Sequence, residues 1–111
     1  MHDRMALPTH EGFSIISLND IIRLEADGSY TTIFLANKEK IVICKNISMF
    51  EEMIDSLSFI RIHKSYVINL AYMKKFVKVN GGGYVIMSDN SNLDVSVRKK
   101  KDLIERLNKL R

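Results

Sequence analysis

Residues 59–69 read Phe59-Ile60-Arg61-Ile62-His63-Lys64-Ser65-Tyr66-Val67-Ile68-Asn69. Aromatic and β-branched residues dominate the stretch, which predicts a strand from Phe59 to Asn69. In such a strand Arg61, His63 and Ser65 share one face, and Ile62, Lys64 and Tyr66 share the other. A basic, hydroxyl-bearing, aromatic cluster of this kind suits contacts to phosphates and base edges. Taken alone it is a weak sign, because a single histidine near a strand is more often an ordinary hydrogen-bonded residue.

Outward from this block the chain alternates short β signals with two helical ones. On the N-terminal side, Ile47, Phe50, Met53, Ile54 and Leu57 fall at helical spacing, predicting a helix from about 47 to 57 with Ser48 and Glu51 as a capping box. Ile41-Val42-Ile43-Cys44 before it is a buried-type run, so Cys44 is expected in the core. Tyr30 to Leu35 predicts a strand. Asp27-Gly28-Ser29 turns it back onto Ile21 to Ala26, where Ile22, Leu24 and Ala26 are expected on one face. Pro8, the single proline, sits in Ala6-Leu7-Pro8-Thr9-His10, a short edge strand or a tail. On the C-terminal side, Met73 to Val79 and Tyr84 to Met87 predict strands around a flexible turn at glycines 81–83. Asp89 to Asn92 is a turn, and Leu93, Val95 and Val97 alternate as a half-buried strand. Leu103, Ile104, Leu107 and Leu110 predict a terminal amphipathic helix with Ser96 as its N-cap. Many short strands with regular turns give a mainly β fold with helical additions.

Composition narrows the function classes. A chain of 111 residues with 46% hydrophobic and 27% charged residues reads as one globular domain rather than a disordered segment. Its single cysteine excludes a disulfide framework and favours a reducing compartment, so a cytoplasmic location is expected. The three histidines, at positions 2, 10 and 63, offer no zinc spacing with it. No apolar run is long enough for a membrane helix, and Met1 to Gly12 does not read as a signal peptide.

The net charge of +4 is distributed unevenly. Residues 98–111 hold seven Lys/Arg against two acids, whereas residues 1–97 hold ten against eleven. Arg98, Lys99, Lys100 and Lys101 fill the first turn of the terminal helix, where cations oppose the helix dipole. Beside free backbone N–H groups they would make a phosphate site, the alternative being a solvated, solubilising face. Catalytic signals are weak. Cys44 and His63 lack a third orienting group, Glu51 and Glu52 read as helix-start residues, and Gly81-Gly82-Gly83 lacks the Lys-Ser/Thr of a phosphate loop. No enzyme activity, metal or cofactor is expected.

Three segments together resemble the signatures of the LytTR DNA-binding domain, the output domain of many bacterial two-component response regulators: residues 20–31 (Asp20 to Thr31), residues 59–69, and Val95-Ser96-Val97-Arg98. They occur in the family's order and cover about residues 13–107; the Phe-x-Arg-x-His-Lys-Ser-Tyr block is the most specific. The resemblance implies elongated antiparallel β-sheets, one short internal helix, a C-terminal amphipathic helix and no helix-turn-helix. Loops, in this family, enter the major groove and bend the DNA. By position, base contacts would fall to Ser29, Tyr30, Lys64 and Arg98, the last because a planar fork suits guanine O6 and N7. Phosphate contacts would fall to Lys45, Arg61, His63, Ser65, Ser96, Lys99 and Lys101. The expected domain runs from 13 to 111, with 1–12 as a linker or edge-strand remnant. Double-stranded DNA is the expected partner, with a receiver domain elsewhere in the parent protein, a possible dimer on repeated half-sites and no membrane. Whether the chain is an excised half of a regulator or stands alone is left open. Two other readings remain: a small β-barrel that stacks single-stranded bases, and a protein-interaction module with a basic terminal helix.

Overall fold

A computed structural model describes residues 4–54 and 58–110. In chain order the elements are β1 (Arg4–Thr9), β2 (Gly12–Ser17), β3 (Ile21–Asp27), β4 (Tyr30–Leu35), β5 (Lys40–Ile43), α1 (Ile47–Met53), β6 (Phe59–His63), β7 (Tyr66–Asn69), β8 (Met73–Val79), β9 (Gly82–Met87), β10 (Asn92–Val95) and α2 (Val97–Asn108). The strands make a two-stranded β1-β2 sheet, a five-stranded sheet in the order β5-β4-β3-β7-β6, and a three-stranded sheet β10-β9-β8. All pairings are antiparallel. The molecule is elongated, 44 × 31 × 24 Å.

The five-stranded sheet is the middle layer, with a core on each face. On one face Leu24, Ile33, Leu35, Ile43 and Val67 pack with Leu7 of β1, Ile16 of β2, and Ile47 and Phe50 of α1. On the other, Ile60, Ile62 and Ile68 meet Val85 and Met87 of β9, Leu93 and Val95 of β10, and Leu103 of α2. Burying both faces explains the adjacent apolar pairs Ile21-Ile22, Phe59-Ile60 and Val67-Ile68, each of which sends one side chain to each core. Leu7 is fully buried, so Arg4–Thr9 contributes to the core as a paired strand.

Several local expectations are corrected. Phe59 to Asn69 is not one strand; Lys64 and Ser65 form a two-residue turn between β6 and β7. Ile22 does not share a face with Leu24 and Ala26. A register shift between Ile21 and Arg23 in the pairing with β4 sends Ile22 into the second core. Cys44 is exposed rather than buried, because β5 is an edge strand that buries Ile43 and leaves Val42 and Cys44 facing out. Helix α1 is capped by Asn46, whose side chain accepts from Met49 N at 2.9 Å, not by Ser48. Leu57, expected at the end of this helix, lies outside the described residues. The terminal helix starts after Ser96 as expected, but Val97 opens it rather than closing β10, and Leu110 is exposed beyond its end.

One buried polar group is central to the middle sheet. Arg23, 9% exposed, pairs with Glu25 at 2.7 Å and Asp89 at 3.1 Å and lies 3.6 Å above the ring of Phe34. Burial pushes the Asp89 carboxyl up, but hydrogen bonds from the Ser91 hydroxyl and N–H and from Arg23 outweigh it and hold the group below the usual carboxylate range.

Candidate nucleic-acid interface

Topology gathers the three signature segments at one end of the five-stranded sheet. The β3-β4 turn, with Gly28 at φ 62°, presents Ser29 and Tyr30 there, both exposed. Thr31 at the start of β4 pairs with Ile43 at the end of β5, which brings the following Lys45 to the same end. The buried Thr31 hydroxyl donates to the Lys45 carbonyl at 2.8 Å, fixing that backbone while the lysine side chain points to solvent. Tyr66 at the start of β7 pairs with Glu25 near the end of β3, and Ala26 N donates to Ser65 O at 2.8 Å. The β6-β7 turn therefore lies beside the β3-β4 turn.

A bulge links this turn to the terminal helix. In the β6-β7 register Arg61 faces Val67 and His63 faces Tyr66, so Ile62 has no partner across the ladder. Its carbonyl accepts instead from Ser96 N at 2.9 Å. Ser96 Oγ accepts in turn from Lys99 N at 3.3 Å and caps α2. The helix N-terminus, with its cations, is thus pinned next to Lys64.

The result is a shallow cleft lined by Arg61, His63, Lys64, Ser96, Arg98 and Lys99, together with Glu51 of α1. Lys64 and Arg98 are exposed, as their expected role requires. His63 Nδ1 accepts from Ser65 N at 3.0 Å, and its ring lies 5.1 Å from that of Tyr66. Ser29, Tyr30 and Lys45 lie on the same end of the sheet outside this cleft. Lys101, near the start of α2, also lies outside this cleft but beside it, next to Val97, Lys100, Ile104 and Glu105.

Arg61 turns its donors inward. Nη1 contacts Glu51 Oε1 at 2.7 Å, Nε donates to His63 O at 2.9 Å, and Nη2 donates to Lys64 O. Glu51 is the site residue that sequence reasoning assigned to helix capping alone. Its position five residues after the true cap, Asn46, points it toward β6, and this was obscured by taking Ser48 as the cap. Among the described residues no group of three or more His, Cys, Asp or Glu is placed to hold a metal, and no helix is long and apolar enough to cross a membrane.

The arrangement matches known proteins over most of its length. The family model of the LytTr DNA-binding domain matches residues 11–108. A solved LytTr DNA-binding domain of a response regulator from Bacillus cereus superposes with a TM-score of 0.82, covering 96% of this chain and 98% of that one at 19% identity. The heme-containing CO-sensing transcriptional regulator RcoM 2 of Paraburkholderia xenovorans is 30% identical over 87 residues, 78% of this chain and 32% of that protein. The sensory transduction protein LytT of Bacillus cereus is 27% identical over 105 residues, 93% of this chain and 42% of that protein. The chain spans about a third of the length of the RcoM relatives it matches.

Proposed function

This chain belongs to the LytTr DNA-binding domain family, and on that premise we propose that it reads duplex DNA in a sequence-specific way for transcriptional regulation, as the output domain of a response regulator. The observation that carries the reading is the gathering of three distant segments at one end of the sheet, two of which line one cationic cleft. Loops rather than a helix face would meet the major groove there. Arg98 and Lys64 are its base readers, with Ser29 and Tyr30 on the neighbouring turn. Lys45, Lys99 and Lys101 hold the backbone, assisted by the polar groups of His63, Ser65 and Ser96. Arg98 follows Ser96 and Val97 directly, so its Cα is held by the cap and by β10, which suits a residue that must aim at a base edge. Longer-range lysine stems suit phosphates. The domain works in the cytoplasm without catalysis, alongside a receiver domain in the parent protein, and pairs of domains engage repeated half-sites. The DNA-binding unit is taken as residues 13–111, with β1 packed on it as the strand that completes the first core.

A single-strand reader would need several exposed aromatics on one face. Among the described residues Phe13 and Tyr30 are the exposed aromatics, and this observation does not favour that reading.

The test is a binding matrix. A site is selected from random duplexes, and Arg98→Ala and Lys99→Ala are measured against single-base variants at two salt concentrations. Arg98→Ala should cost about 1–3 kcal/mol on the best site and flatten preference at one base pair. Lys99→Ala should weaken all sequences equally and lower the salt slope by about one. A uniform loss for Arg98→Ala, with base preferences intact, would transfer the reading role away from Arg98.

A further inference from the structure

We infer that Arg61 and Glu51 form a clamp that sets the aim of Lys64, and that Arg61 acts on specificity through this turn rather than as a phosphate contact. The inference rests on the duplex-binding reading above and deepens it. The β6-β7 turn has no glycine, and neither Lys64 nor Ser65 adopts a positive φ. The two-residue turns that hold hairpins by backbone geometry alone use left-handed residues, so this one needs other support. Side chains supply it. The Arg61 guanidinium bridges the turn, donating from Nε to His63 O at 2.9 Å and from Nη2 to Lys64 O. Its third nitrogen is held by Glu51 of α1 at 2.7 Å. The Arg61 side chain is 16% exposed and Lys64 is exposed, so the half-buried cation orders the backbone that carries the free one.

The chemistry of the pair agrees. An acid lining a cleft that accepts phosphates repels them, and Glu51 lines this cleft. Held against Arg61, its charge is offset locally, and the pair contributes no net attraction to the DNA backbone. A planar fork with donors in fixed directions is what a three-point clamp requires; an ammonium group cannot reach three acceptors along the same lines. Arg61→Lys therefore keeps the charge and loses the clamp.

The experiment compares the wild-type chain, Arg61→Lys, Arg61→Ala, Glu51→Gln and Lys64→Ala on a selected duplex and its single-base variants, across a salt series. Lys64→Ala locates the base pair that Lys64 reads. The clamp predicts that Arg61→Lys and Glu51→Gln each lose about fivefold to tenfold discrimination at that same base pair, with the salt slope unchanged for the charge-conserving Arg61→Lys. Glu51→Gln is the sharper variant, because removing an acid near DNA would otherwise tighten binding. The inference is overturned if Arg61→Lys retains wild-type discrimination, or if Arg61→Ala lowers the slope by about one with base preferences intact. Thermal melts separate these outcomes from unfolding of Arg61→Ala, and Arg61→Lys and Glu51→Gln keep the test open if that variant does not fold. Failure of the underlying reading shows in a different arm: a wild-type chain that selects no duplex sequence overturns both.

Discussion

Raising the salt concentration should weaken duplex binding by an amount set by the cations the cleft leaves free. Lys45, Lys64, Arg98 and Lys101 are exposed at or beside the recognition end, and Lys99 is half-exposed in the cleft itself. Arg61 is engaged by Glu51 and two carbonyls and is left out of the count. Five cations, each displacing about 0.9 of a condensed counterion on duplex DNA, give a log–log slope near −4.5. Between 50 and 200 mM salt the affinity should therefore fall about 500-fold. Fluorescence anisotropy on a labelled duplex, at six or more salt concentrations, measures the slope directly. Single-stranded DNA of the same sequence serves as the comparison, because its lower charge density gives a shallower dependence of about 0.7 per contact. A slope shallower than about −2 with affinity retained would refute the phosphate-driven account. So would tighter binding to the single strand, which would move the function toward base stacking.

Other outcomes follow from the fold. Leu7→Ala should cost about 2–5 kcal/mol in urea unfolding, since Leu7 is fully buried against the first core although it lies near the chain's start. Cys44 should react with a thiol reagent in the native state, and Cys44→Ala should change stability by less than about 0.5 kcal/mol, because the side chain is exposed on an edge strand. The Asp89 carboxyl has a folded pKa below its ordinary 3.8, so the unfolded state takes up the proton first as pH falls. Stability from this group is complete above about pH 5 and is lost on descending through 3.8 toward the folded value; in acid titrations monitored by circular dichroism, Asp89→Asn should show a shallower loss there.

Much of this architecture can be read from residue order, and the exceptions share a cause. The turn at Gly28, the strand Tyr30–Leu35, the Ser96 cap and the amphipathic face around Leu103 all rest on local rules of turn chemistry, periodicity and capping. The β6-β7 turn rests on none of them. Its support comes from Arg61 and from Glu51, ten residues earlier, so the stretch Phe59 to Asn69 looks like one uninterrupted strand. Cys44 fails for a related reason. A run of apolar residues cannot say whether its strand is central or at an edge, and β5 is at an edge. The bulges at Ile22 and Ile62 each change which partner a residue meets, and neither contains a glycine to mark it. For the interface, segment order and charge identified the residues around the cleft, while the inward commitment of Arg61 required geometry.

The Ile62 bulge has a consequence for how binding preference can change over generations. What fixes the turn is the Arg61 side chain, main-chain groups of residues 62–65, and the Nδ1 of His63; the helix start is fixed by Ser96. The side chains of Lys64 and Arg98 take no part in any of those bonds. Positions 64 and 98 are therefore exchangeable in the way that a type slug is exchangeable in a printer's forme: the frame holds the slot, not the character. Random replacement at these two positions should yield a library of folded proteins with differing operators, whereas the same randomisation at 61, 62 or 96 should yield mostly proteins that no longer present either position correctly.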